Sequence, residues 1–134
     1  MPKYIYTLLC SIIVLISSCK KDAEKHLTRN DGEWIYTFVY KQTASTRDVL
    51  KDDKGNGAFN INKDGRITQT ENGVTNIGEW TISDNKITLI FPNYTRTYNI
   101  VKVKKNKQTW EYKNEVKSQI GTTTTNLILE LSAK

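Results

Sequence analysis

The chain has 134 residues, a formal charge of +6, 37% hydrophobic and 25% charged residues, which suits one domain around one core. It carries a single histidine, His26, so a histidine-dependent triad and a multi-histidine metal site are excluded by count. Its lysines are scattered except at Lys102, Lys104, Lys105 and Lys107, a basic run at one turn with no accompanying aromatic-basic motif, so nucleic acid is not an expected partner.

The chain opens on a short apolar run after Lys3, with the core Leu8-Leu9-Cys10-Ser11-Ile12-Ile13-Val14-Leu15-Ile16. It falls within the roughly 7 to 15 residues of a secretory h-region and short of the roughly 20 that span a bilayer. The sequence Ile16-Ser17-Ser18-Cys19 that closes it resembles the lipobox of bacterial lipoproteins. That resemblance implies a signal peptide over 1–18, cleavage before Cys19, and acyl chains on the Cys19 sulfur. Each buried CH₂ contributes about 0.8 kcal/mol, so several chains hold a protein on a membrane where one does not. Cys10 then leaves with the signal peptide and Cys19 is acylated. The remaining chain has no thiol for a disulfide, a nucleophile or a zinc ligand. Lys20 follows the cysteine where an acidic residue would accompany inner-membrane retention, so the resemblance implies the outer membrane, with the domain facing periplasm or medium.

After a charged tether over 19–31, which contains His26, the apolar period becomes two. Trp34, Tyr36, Phe38 and Tyr40 alternate with Ile35, Thr37 and Val39, placing four aromatics on one face of a pleated strand. Phe59 and Ile61, then Ile67, flank the turn Asn62-Lys63-Asp64-Gly65. Trp80 and Ile82, then Ile87, Leu89 and Phe91, flank Ser83-Asp84-Asn85-Lys86. Tyr98 and Ile100, Trp110 and Tyr112, and Leu127, Leu129 and Leu131 complete the series. The pattern predicts eight strands over 33–41, 57–62, 66–72, 76–82, 86–91, 94–103, 108–115 and 121–132.

Short connections rich in Gly, Asn, Asp and Lys make consecutive hairpins, and no amphipathic helix interrupts them. The fold class is therefore all-β. An eight-stranded antiparallel meander with one aromatic-aliphatic face closes most economically into a barrel, which leaves no open edge; a two-sheet sandwich is the rival arrangement. Ten of the eleven aromatics beyond Cys19 fit the inward face. The one long connection, Lys41 to Asn56, would arch over a barrel mouth.

The Gly32-Glu33-Trp34 opening, Phe59-x-Ile61-x-x-Asp64-Gly65-x-Ile67, Gly78-Glu79-Trp80-Thr81-Ile82 and Asn85-Lys86-Ile87-Thr88-Leu89 are similar to the lipocalin-like domain of small Gram-negative lipoproteins. The resemblance covers nearly all of 19–134 and implies a lipocalin-like β-barrel, over 32–134, holding a small apolar or amphipathic ligand. Large inward side chains make a filled core with a shallow mouth as consistent with the sequence as an open calyx.

Candidate ligand-binding residues are the inward aromatics Trp34, Tyr36, Trp80, Tyr98, Trp110 and Tyr112. The segment Asn60-x-Asn62-x-Asp64-Gly65-x-Ile67-x-x-x-Glu71 matches an EF-hand calcium loop at six positions, but alternating residues run into and out of it, which reads as a hairpin. Glu111 and Glu130 fall on outward parity. No catalytic, metal or cofactor site is expected, and the predicted protein is a non-enzymatic binder anchored to the membrane through Cys19. The alternative is an envelope protein-interaction module that acts through rim loops above a filled core.

Overall fold

The structure is a computed structural model describing residues 24–29 and 32–134; Cys19 and the apolar run before it lie outside the described residues. Eight strands follow in order: β1 (Glu33–Ala44), β2 (Val49–Ile61), β3 (Arg66–Glu71), β4 (Val74–Ser83), β5 (Lys86–Phe91), β6 (Tyr94–Lys104), β7 (Lys107–Ser118) and β8 (Gly121–Ala133). Each pairs antiparallel with the next, and β8 returns to β1 in continuous register from Trp34↔Ala133 to Ala44↔Thr123, closing an eight-stranded meander barrel. That closure excludes the two-sheet sandwich. Two connections are the left-handed turns that suit right-twisted strands. Asn72-Gly73 has φ values of 53° and 76°, and Asp84-Asn85 has 49° and 60°.

The segment from Lys41 to Asn56, expected as a long loop, is mostly strand. β1 runs on to Ala44, and β2 starts at Val49 with Lys41 opposite Asp52 and Gln42 opposite Lys51. Its side chains show no apolar alternation because they border open space rather than a packed core, so hydrophobic periodicity does not mark it. The tight turn uses Arg47 at φ 66°, where glycine is the usual signal.

The barrel wall is of unequal height. β2 pairs with β3 only over Ala58–Ile61, and β6 pairs with β7 only up to Asn99↔Glu111. Beyond those points β2, β1, β8 and β7 continue as a four-stranded ribbon no longer paired with β3 or β6. The lower end, where all eight strands are paired, is filled. All eleven aromatics of the described strands lie in the core or pack against it, one more than parity alone assigned inward.

Trp34, Ile61, Ile67, Ile87, Leu89, Trp110 and Leu131 are fully buried, each contributing about 1.5–3 kcal/mol. The rings of Tyr36 and Phe59 stack at 4.4 Å, and Phe59 and Trp110 at 5.7 Å. Each tryptophan N–H has an acceptor at 2.8–2.9 Å: Trp34 donates to the Leu27 carbonyl, Trp80 to the Asn62 carbonyl and Trp110 to Gln108 Oε1. Leu27, on a short helical turn over 24–27, is itself 0% exposed and joins the core, so the tether closes the end of the barrel where β1 begins.

The calcium-loop match resolves into the β2–β3 hairpin. Gly65 takes φ 92° in the turn, and Glu71 lies at the far end of β3, at the opposite mouth of the barrel.

Candidate functional site

Above the filled half, where β2 has parted from β3 and β6 from β7, the interior opens into a cavity of about 380 Å³. Its floor is Tyr36 and Tyr98. One wall is apolar: Phe38 and Tyr40 from β1 face Leu127 and Leu129 from β8. The other is polar, with Gln69 and Glu71 from β3, Asn76 from β4, and Tyr94 and Arg96 from β6. Lys51 and Asp53 of β2 stand at the rim, Lys51 Nζ lying 5.3 Å from the Tyr40 ring.

Two glycines on the inward face of β2 shape this cavity. Gly55 lies opposite Phe38 and Gly57 opposite Tyr36. A Cβ at Gly55 would meet the Phe38 ring at 2.7 Å, and one at Gly57 would collide with the Tyr36 hydroxyl and ring. With no side chain on β2, both rings lie flat against the sheet and leave the interior open.

The polar wall is ordered by a chain of hydrogen bonds running in one direction. Tyr94 O–H donates to Gln69 Oε1 at 2.9 Å, Gln69 Nε2 donates to the Tyr36 oxygen at 2.8 Å, and Tyr36 O–H donates to Glu71 Oε2 at 2.5 Å. Burial, reinforced by the Glu71 carboxylate, pushes the Tyr36 hydroxyl far above the usual phenol range. Burial also raises Tyr94 and Tyr98. The three phenols therefore stay protonated at neutral pH and serve the site as neutral hydrogen-bonding groups.

Arg96 lies between two rings, with its guanidinium carbon 5.1 Å from the Tyr94 centroid and 4.9 Å from that of Tyr112. Its Nη1 points at the Tyr98 oxygen, 3.4 Å away. The one salt bridge among the described residues, Arg66–Asp64 at 3.8 Å, is on the surface at the opposite end.

Of the six aromatics expected at a ligand site, Tyr36 and Tyr98 line the cavity and Tyr112 covers the Arg96 guanidinium from its edge. Trp34, Trp80 and Trp110 are buried in the closed half and do not line the cavity. Gln69 and Arg96 were not among the expected site residues, and Glu71 stood out only as the last position of the calcium-loop match. The signal was available: Gln69 and Glu71 continue the inward parity of Ile67, and Arg96 sits between Tyr94 and Tyr98 on one face. No family model matches the chain, and no curated protein matches it.

Proposed function

We propose that this chain is a lipocalin-like lipoprotein, anchored through Cys19, that holds a small amphipathic ligand in its barrel mouth without transforming it. The observation that carries the reading is the two-sided cavity: its volume of about 380 Å³ lies within the roughly 300–1,000 Å³ of small-molecule sites, with an apolar and a polar wall facing each other. The closed half supports the anchor. Leu27 plugs the end from which the tether leaves, and Lys63, Lys86, Lys104, Lys105, Lys107 and Lys134 are exposed at that end. A basic end beside the anchor suits anionic head groups and directs the mouth away from the membrane.

The rival role, a protein-interaction module, draws on a different observation. Among the described residues, the outer edge of β2 over Val49–Gly57 and that of β7 over Tyr112–Ser118 have no strand neighbour, and open edges accept added strands.

Native mass spectrometry of the protein released from its host membrane tests the first reading. The expected result is a chain starting at Cys19 with acyl mass on that residue and a small molecule bound. A Leu129→Trp variant, which fills the cavity, should travel without the molecule. An unmodified terminus would sink the anchor, and a variant that keeps the same molecule would sink the site.

A further inference from the structure

We propose that the ligand's head group is an anion, a carboxylate or phosphate, and that Arg96 receives it while the apolar wall takes the body. This rests on the mouth being a ligand site and adds the chemical class of the ligand.

Arg96 is the half-buried cation of the cavity and faces inward from β6 beside Tyr94 and Tyr98. A guanidinium offers five N–H donors, and among the described residues only one long contact, 3.4 Å to Tyr98, draws on them. The Tyr94 and Tyr112 rings hold its position through their faces without neutralising its charge. No carboxylate among the described residues forms an ion pair with it. The nearby acid in the polar wall, Glu71, instead accepts the Tyr36 proton donor at the end of the Tyr94–Gln69–Tyr36 chain.

A partly desolvated charge with unspent donors is costly to leave alone, and a bound anion recovers that cost through charge-assisted, bidentate hydrogen bonds. The Tyr98 hydroxyl accepts from Arg96 and donates to no partner among the described residues, so its proton is available beside the guanidinium. Across the cavity Phe38, Tyr40, Leu127 and Leu129 present no competing polar group except the Tyr40 hydroxyl. The head therefore belongs on β6 and the body against β1 and β8. At the rim, Lys51 and Asp53 carry opposite charges.

The test compares one apolar body with different heads. Calorimetric titration of residues 19–134 carrying Cys19→Ser, which omits the acyl chains, would use dodecanoate, dodecyl phosphate, dodecanol and dodecyltrimethylammonium below their micelle concentrations. At least one anion should bind tenfold or more tightly than dodecanol, the lower bound for a charge-assisted hydrogen bond. The cationic amphiphile should bind weakest. Arg96→Gln should bring the anion-to-dodecanol affinity ratio close to one, and Arg96→Lys should retain part of it. The preference between the two anions identifies a carboxylate or phosphate head. Dodecanol binding as tightly as both anions, or a ratio unmoved by Arg96→Gln, overturns the anion proposal and leaves the mouth as a site. Binding of none of the four overturns both. Were Arg96→Gln to unfold, the head-group series on the unsubstituted residue decides alone.

Discussion

The closed and open halves of this barrel share strands, inward parity and aromatic content, yet one is a dry core and the other a polar-sided cavity. In the closed half the inward rings are buried, Phe59 stacks on Trp110 at 5.7 Å, and each indole N–H finds an acceptor. In the open half β2 has parted from β3 and β6 from β7. The rings of Phe38 and Tyr40 look across at Gln69, Glu71 and Arg96, and the space between is left open. Strand pairing, rather than residue type, separates the packed half from the open one.

The largest test of that contrast is to truncate one ring in each half. Trp110→Ala, in the closed half, should cost about 3–5 kcal/mol. Phe38→Ala, over Gly55, should cost about 1 kcal/mol, because its ring is only partly buried and already borders space. Urea unfolding followed by circular dichroism reads both, and equal costs would erase the distinction between the halves.

Leu27 tests whether the tether is part of the core. Leu27→Ala should lower stability by about 2 kcal/mol in the same assay, the low end for a buried leucine because its segment ends the fold. A neutral effect would show that the plug is dispensable.

Gly57 tests how the open half keeps its space. Gly57→Ala places a methyl group against the Tyr36 ring and should cost about 1–2 kcal/mol, despite alanine's smaller loss of backbone freedom. It should also displace Tyr36 from Glu71, visible as a shift of the Tyr36 ring resonances. A stabilised variant with unmoved resonances would contradict the ring-on-glycine arrangement.

The smallest effect at neutral pH belongs to Tyr36→Phe, about 1 kcal/mol for the lost hydrogen bonds. Its consequence is larger in alkali. The Tyr36, Tyr94 and Tyr98 hydroxyls have folded-state values above the unfolded value of 10.0, so the native state holds more protons than the unfolded chain above that pH. Their contribution is complete below pH 10.0 and is lost as pH rises beyond it. Tyr36→Phe should flatten that loss. Unchanged steepness in chemical unfolding between neutral and strongly alkaline pH would argue against Tyr36 being held neutral.

Much of the barrel was legible because a strand's two faces are written into neighbouring residues. Trp34, Tyr36, Phe38 and Tyr40 declare their face locally, and Asn62-Lys63-Asp64-Gly65 and Ser83-Asp84-Asn85-Lys86 declare their turns. The extension of β1 and β2 through Lys41 to Asn56 left no such mark, since residues with water on both faces need no apolar alternation. The tryptophans drew attention as ligand contacts because large rings suit both cores and pockets. Their burial in the closed half follows from level along the barrel axis, which parity does not encode.

Alternation and turn chemistry thus carried the all-β class, the strand order and the inward set, each being set by residues close together in the chain. Where the barrel is filled and where it is open was settled by pairing between distant strands. β2 parts from β3 at Ala58, β6 parts from β7 at Asn99, and only above those points does Arg96 share a cavity with Phe38, Leu127 and Leu129. That meeting joins residues of β1, β6 and β8, and it depends on relative strand heights that no single segment contains.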